Sequence, residues 1–328
     1  MRFFDTPEVR KRLERIDTVA VVTEALTAHA RGRVTLPQES YLPWSTHDGH
    51  SARSIAMHAW IEGGRGVGGV KIINANPANV GAGLPRASGL TILFDSETGR
   101  MTAAMPAEDV SAARTAAVST IGVLHTRSAG ACALAVVGCG PVGNWHIKTM
   151  TSTVSGFSSL VLFDRVPERA YALATRWQEK LPDWSVAVAD SAREAIQRAD
   201  VVVTTTTTTK PYVEPYWLRP GVTAVNVSLD DFDADVLLGC DRLFVDDWTL
   251  IAADERRLLG RLMRDGAVAA PGALPSTPTT RMIDGTIGQL ITGQVTGRQQ
   301  NDQVIVVNPY GLAVCDVALA MAVLSCAA

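Results

Sequence analysis

The chain is expected to be an α/β protein: a doubly wound parallel sheet joined to a smaller α+β domain. Three observations carry that expectation. From Ala131 onward, short apolar runs alternate with helix-forming stretches, the pattern of parallel strands covered on both faces. One of those runs leads directly into the string GCGPVG. Before Ala107 the pattern differs: helical stretches come first, then strand-like segments broken by Asn, Pro and Gly.

Taken in order, residues 6–30 read as helices. Thr6-Pro7-Glu8 offers an N-cap with proline at the first helical position, and the later DTVAVVTEALTAHA is amphipathic. A Gly-rich patch, EGGRGVGG (62–69), precedes a strand beginning at Val70, and LTILFD (90–95) with the turn SETG supplies a second. These pieces predict a small, mostly antiparallel sheet. Between Gly66 and Phe94 the only charges are Lys71 and Arg86, and a lysine inside an apolar strand asks for a reason. The segment AEDVSAARTAAVSTIGVLHT (107–126) is Ala-rich and helix-favouring, and it leads into the second region.

In that region ACALAVV, SLVLFD, ADVVVTTTT, VTAVNVS and DRLFVDD are strands, with helices in PERAYALATRWQEKL and SAREAIQRA. The six threonines at 204–209 read as a strand end running into a loop. Residues 267–279 form a Pro-rich surface loop, and the chain closes as strand, turn and apolar helix. A helix that apolar needs a partner surface, either the first domain or a second subunit. Its one acid, Asp316, reads as a first-turn partner of the helix dipole.

Composition excludes several classes. Hydrophobic residues make up 47% and charged ones 19%, which supplies a sizeable core and argues against disorder. The net charge of −3 is mixed along the chain, so neither nucleic acid nor a membrane surface is an expected partner. No run approaches the roughly 20 apolar residues that span a bilayer. The five cysteines are widely spaced with no CxxC pair, which suggests neither a disulfide framework nor a zinc ribbon. With a charged N-terminus in place of a signal peptide, a cytoplasmic location is expected. His47 and His50 in STHDGHS lack a third ligand at suitable spacing, and no metal is expected.

GCGPVG places Gly138, Gly140 and Gly143 in a G-x-G-x-x-G pattern, with Pro141 and Val142 inside it. The string stands between an apolar strand and a helical stretch, the setting of a Rossmann-type dinucleotide loop. The first glycine permits a tight turn, the second admits pyrophosphate, and the third lets helix and strand pack closely. Asp164 ends the next strand, where a carboxylate binds both ribose hydroxyls and favours NAD. Arg165 beside it leaves room for NADP.

Several separated segments, in order, resemble the ornithine cyclodeaminase/mu-crystallin family. They are GVKIINANP with Lys71, AARTAAVST with Arg114, the glycine loop, VNVSLDD with Asp231, and the ending NPYGLAVCDVALA. RSIAMHAW and GLPRAS look closest to a branch that makes 2,3-diaminopropionate for siderophores and antibiotics. Its members oxidise N-(1-amino-1-carboxy-2-ethyl)-glutamate with NAD and hydrolyse the product. Ile55 falls where the ornithine enzymes carry the acid that holds their substrate's terminal amine, which speaks against cyclisation.

The resemblance implies roles. Arg114 and Lys71 clamp a substrate carboxylate, which the bidentate fork and compact ammonium of these side chains suit. Arg86, Arg53 and Met57 join the substrate site, Arg86 gripping a distal carboxylate. Asp231, chosen over its neighbours Asp230 and Asp233, is the proton acceptor alongside Lys71 as a catalytic group. Near those cations it should stay ionised. Thr115, Thr205, Ser228 and Asn308 join the glycine loop, Asp164 and Arg165 around the cofactor. Residues 1–115, completed by 312–328, are expected to bind substrate and form a homodimer. Residues 116–311 bind the dinucleotide, with the active site in the cleft between. An ornithine or lysine cyclodeaminase, an amino-acid or imine reductase, and a non-catalytic mu-crystallin-like binder remain as alternatives.

Overall fold

The structure, a computed structural model, describes every residue except Arg65, Leu229, Ser276 and Ala328. Arg65 falls within the Gly-rich patch and Leu229 within the VNVSLDD motif, so those two positions of the motifs lie outside the described residues. The chain divides into two compact units, residues 1–114 with 311–328, and residues 115–310.

The first unit opens with a short strand, β1 (Arg2–Phe3), and two helices, α1 (Thr6–Leu13) and α2 (Thr18–Ala30). Strands β2 (Val34–Thr35), β3 (Ser40–Ser45), β4 (Ser51–Ile61), β5 (Val67–Ala75), β6 (Ala87–Phe94) and β7 (Met101–Pro106) follow. The sheet runs β1-β7-β6-β5-β4-β2, with β3 also paired to β4. Only the β1–β7 pairing is parallel within it. The N-cap of α1 is Asp5, whose carboxylate accepts from Glu8 N at 2.8 Å, not Thr6. A carboxylate one residue earlier reaches the same free N–H groups and leaves Thr6 helical. His47 and His50 occupy the turn between β3 and β4.

The closing helix, Ala313–Ser325, belongs to this unit and packs on α2 and across β4, β5 and β6. Eight of its thirteen residues are buried, so the first domain is the surface that its apolar sequence demands. Gly69 of β5 makes the close approach possible: a Cβ there would meet Val317 of the helix at 3.0 Å and the Ile92 carbonyl at 2.7 Å. Helix α3 (Ala107–Thr126) carries the chain from the first unit into the second.

The second unit is the parallel sheet. Its first half comprises β8 (Ala133–Val137), α4 (Pro141–Thr153), β9 (Ser159–Phe163), α5 (Pro167–Lys180), β10 (Ser185–Val188) and α6 (Ala192–Gln197). Its second half begins with β11 (Val201–Thr204), β12 (Thr223–Asn226) and β13 (Arg242–Val245). A two-stranded ribbon pairs β14 (Val268–Ala269), inside the 267–279 segment expected to be a Pro-rich surface loop, with β15 (Arg281–Met282) just beyond it, and buries Val268. Strands β16 (Gly285–Thr286) and β17 (Ile305–Val307) complete the sheet. The order is β10-β9-β8-β11-β12-β17-β13-β16, every pairing parallel. Strand order therefore reverses direction between β8 and β11, the position at which doubly wound sheets open a crevice for ligands. The central strands are buried end to end, as their unbroken apolar runs require.

Candidate active site

Lys71 lies in the middle of β5, opposite Met57 on β4 and Thr91 on β6. It is 2% exposed, so its ammonium must be met by an anion or lose its charge. The anion comes from the far end of the chain. Lys71 Nζ donates to Asp316 Oδ2 at 2.9 Å, and Arg114 Nε donates to Asp316 Oδ1 at 3.1 Å. Ser111, one turn before Arg114 on α3, accepts from both cations, at 3.5 Å and 3.4 Å. Arg114 also lies against Gly311, where a Cβ would come within 2.6 Å of its guanidinium. Gly311 has φ +99°, so both its backbone and the arginine require a residue without a side chain.

These contacts set the charges. Burial pushes Lys71 down, and Arg114 pushes it further, while Asp316 pulls it back, leaving it at about 8. Burial opposes ionisation of Asp316, but Arg114 and Lys71 together hold it below the usual carboxylate range. Asp316 is in the first turn of its helix, as expected. Its carboxylate, however, is fully buried and engaged by two cations, so the helix dipole is the lesser part of its role.

The other expected substrate residues divide. Met57 is Lys71's direct neighbour across the sheet. Arg53 pairs with Ala75, and because side chains alternate along a strand, positions 71, 73 and 75 share one face. Ile55, paired with Ile73, stands between them on that face. Arg86 is not brought to the cation cluster. It lines an open groove of about 220 Å³ with Trp44, Asn74, Asn76, Asn79 and Ser88. By alternation, Asn74 and Ser88 point to the face opposite Lys71. Burial, then the charge of Arg53, lowers the pKa of Arg86.

In the second unit, β8 ends at Val137 and the chain turns through Gly138, φ +103°. A Cβ at Gly138 would strike the Thr205 carbonyl at 2.8 Å, and one at Gly143 would strike the Gly138 carbonyl at 2.2 Å. A Cβ at Gly140 would meet nothing within 4 Å. Two glycines are thus required by the protein's own packing, while the middle one borders open space. Gly140 is also the N-cap of α4, with no side-chain cap, and Pro141 begins the helix. The uncapped helix N-terminus beside that space suits a pyrophosphate.

Asp164 follows β9 and accepts from Cys139 N at 2.8 Å and Val166 N at 2.9 Å. The loop backbone therefore fixes its carboxylate while each oxygen keeps a lone pair for a ribose hydroxyl. Arg165 is exposed beside it. Thr205, just past β11, donates from its hydroxyl to the Gly138 carbonyl at 2.8 Å and from its N–H to Val137 at 2.8 Å. It props the glycine loop from across the crevice. Val142 accepts from His146 at 2.8 Å, and the other ring nitrogen of His146 meets Ser119 at 2.9 Å. Thr115 is half-buried on α3.

Asp231 lies beyond the end of β12, wholly buried. Thr206 donates its hydroxyl to Oδ1, and Ser228 donates to the Thr206 carbonyl at 2.8 Å. Tyr212 N and Val213 N both donate to the Asp231 carbonyl at 3.0 Å, which ties the two segments together. The Tyr212 hydroxyl and Asp231 Oδ2 are buried and close no hydrogen bond among the described residues, though each feels the other electrostatically. Asp231 is expected to stay ionised beside cations; its immediate surroundings work against ionisation. Burial raises its pKa, while the nearby hydroxyl groups of Thr206, Ser228, Thr204 and Tyr212 pull the other way. Asn308, past β17, accepts from Asn226 at 2.6 Å in a buried amide pair.

A sequence profile of the ornithine cyclodeaminase/mu-crystallin family matches residues 3–327. The chain belongs to that family. It is 33% identical over 304 residues to N-((2S)-2-amino-2-carboxyethyl)-L-glutamate dehydrogenase of Staphylococcus aureus, covering 92% of this chain and 87% of the relative. The crystal structure of CmnK superposes with a TM-score of 0.89 at 36% identity, covering 99% of this chain and 94% of the other. An archaeal alanine dehydrogenase dimer with bound NAD superposes with a TM-score of 0.80 at 24% identity over 98% and 94% of the two chains. These likenesses establish the Rossmann-type fold of the family for the whole chain.

Three residues around these groups escaped the sequence reading: Asp316 as a partner of both cations, Gly311 beside Arg114, and Tyr212 beside Asp231. For Asp316 there was a signal, since it is the only charge in an otherwise apolar closing helix. Tyr212 gave none.

Proposed function

We propose that this protein is an NAD-dependent dehydrogenase of a secondary amine built on an amino acid, of the N-(1-amino-1-carboxy-2-ethyl)-glutamate type. Hydrolysis then yields 2-oxoglutarate and 2,3-diaminopropionate, a precursor for siderophores or antibiotics. The observation that carries the reading is 33% identity to the Staphylococcus aureus dehydrogenase over 92% of the chain. Retention of the buried Lys71 and Arg114 agrees with it.

The residues divide the chemistry as follows. Lys71 and Arg114 take the carboxylate next to the reacting carbon and aim its hydrogen; orientation of that kind contributes up to roughly 7–11 kcal/mol to a barrier. Arg53, on the Lys71 face with apolar Ile55 between, serves a more distant carboxylate. Asp231 accepts the proton from the substrate amine or from the attacking water. Gly138, Gly140 and Gly143, with Pro141 and Val142, the α4 N-terminus and Asp164, hold the dinucleotide, and Thr205 supports them. NAD, when bound, takes up the hydride. Thr115, Ser228 and Asn308 are assigned to the same cofactor, and Arg165 borders its ribose.

The assembly is a homodimer formed through the first unit. All six residues of β3 are exposed, among them Tyr41, Leu42 and Trp44, an apolar edge that a lone subunit would leave open to water.

Incubating the purified protein with NAD and N-(1-amino-1-carboxy-2-ethyl)-glutamate, ornithine, lysine, alanine or cyclic imines, with absorbance of the reduced cofactor followed, tests the reading. NADH with 2-oxoglutarate is expected from the first compound. Ammonia release from ornithine without net NADH would instead identify a cyclodeaminase.

A further inference from the structure

Among the described residues of the first unit, Asp316 is the one carboxylate that is completely buried, and it bonds both proposed carboxylate-binding cations. Its two oxygens are divided, one to each cation. The contact on Arg114 uses Nε, the side of the guanidinium away from its paired Nη atoms, which lie against Gly311 and Ser111. One acid, one serine and one missing side chain thus bear on the arginine head.

The charge count is as informative as the geometry. Lys71 and Arg114 alone would be two adjacent buried cations, each opposing the other. With Asp316 ionised the cluster carries a single positive charge, matched to one carboxylate. We infer that Asp316 is a positioning residue: it fixes the spacing of Lys71 and Arg114 and leaves the pair one net charge with which to hold a single substrate carboxylate. This rests on the reading of those cations given above.

The groups facing Lys71 are Arg114, Asp316, Ser111 and, at longer range, Glu39. Of these Asp316 is the principal group sustaining its protonation, so losing that charge moves Lys71 below its value of about 8. A purely structural Asp316 would affect folding without moving catalysis.

The test uses the full-length enzyme with N-(1-amino-1-carboxy-2-ethyl)-glutamate and NAD. Asp316→Asn is expected to raise substrate KM at least about tenfold, leave NAD affinity unchanged, and move the alkaline limb of kcat/KM to lower pH. Asp316→Glu keeps the charge but displaces the carboxylate by one methylene. It is expected to raise KM while the alkaline limb stays put, and it carries the test if the asparagine variant does not fold. Unchanged KM in Asp316→Glu, or an unmoved limb in a folded Asp316→Asn, would overturn the inference. Lys71→Ala and Arg114→Ala separate the two levels. If they leave KM unaltered, the carboxylate reading itself fails; if they raise it while the Asp316 variants do not, only the positioning role is lost.

Discussion

Asp316 and Asp231 are both shielded completely from solvent, yet their surroundings drive them in opposite directions. Asp316 meets two cations and stays below the ordinary carboxylate range. Asp231 sits among the hydroxyl groups of Thr206, Ser228, Thr204 and Tyr212, and burial lifts it. Burial taxes both ions alike; what differs is whether a full positive charge or only dipoles answer it. The first arrangement yields a permanent anion suited to holding other side chains. The second yields a carboxylate poised to exchange a proton, and separation of two carboxyl groups in this way is how one protein assigns different tasks to the same residue type.

The comparison breaks most decisively at Asp231. Asp231→Asn is expected to keep NAD affinity, measured by titration of cofactor fluorescence, and to lose about 10²–10⁴-fold in turnover, the usual worth of a general base. Retained turnover would remove Asp231 from the chemistry. On the other side, Arg114→Lys preserves charge but loses the planar fork and the Nε contact to Asp316. KM for the substrate should rise by about tenfold with NAD binding intact, as steady-state kinetics would show.

A third buried group sharpens the point in a stability measurement. His146 is driven down to about 4 by burial, despite its bond to the Val142 carbonyl. Between about 4 and its unfolded value near 6.5, the unfolded chain binds the proton and the folded chain does not. Stability should therefore be complete above 6.5 and fall as pH is lowered through that window, by up to a few kcal/mol. Urea melts of wild type and His146→Gln at pH 7 and pH 5 would reveal it, with the variant losing the pH dependence.

The smallest expected effect concerns Tyr212. Its hydroxyl favours the ionised form of Asp231, so Tyr212→Phe should shift the acidic limb of kcat/KM upward. In the wild type that limb is expected above the ordinary aspartate range, because burial raises Asp231. A downward shift in the variant would mean that the phenol opposes ionisation instead.

Local signals were legible where one segment decides its own conformation. Helix α3 was readable to its ends from an Ala-rich, acid-started segment, and the strands of the second unit from uninterrupted apolar runs. The glycine loop announced itself through three glycines, two of which, Gly138 and Gly143, the fold requires sterically while Gly140 borders open space. The cap of α1 slipped by one residue because Asp5 and Thr6 are both good caps and only tertiary placement chooses. The hairpin of β3 and β4 was not read as strands, since SYLPWS has an interior proline and no inward-facing residues. Among site residues, the motifs supplied Lys71, Arg114 and Asp231 individually. They could not supply the ion triad, because Lys71 and Asp316 are 245 positions apart. Nor could they place Arg86, whose groove depends on strand register across the sheet.

The closing helix has a consequence for how the protein is made. A ribosome releases β5 and α3 first, then the whole second unit, and delivers Asp316 only after it. Until that moment the nascent first unit lacks the carboxylate that bonds both cations and the helix that covers its apolar sheet face. Completion of the first unit therefore waits until the whole second unit has been made, and a chain cut short before Asp316 would forfeit the first unit while leaving the nucleotide half intact.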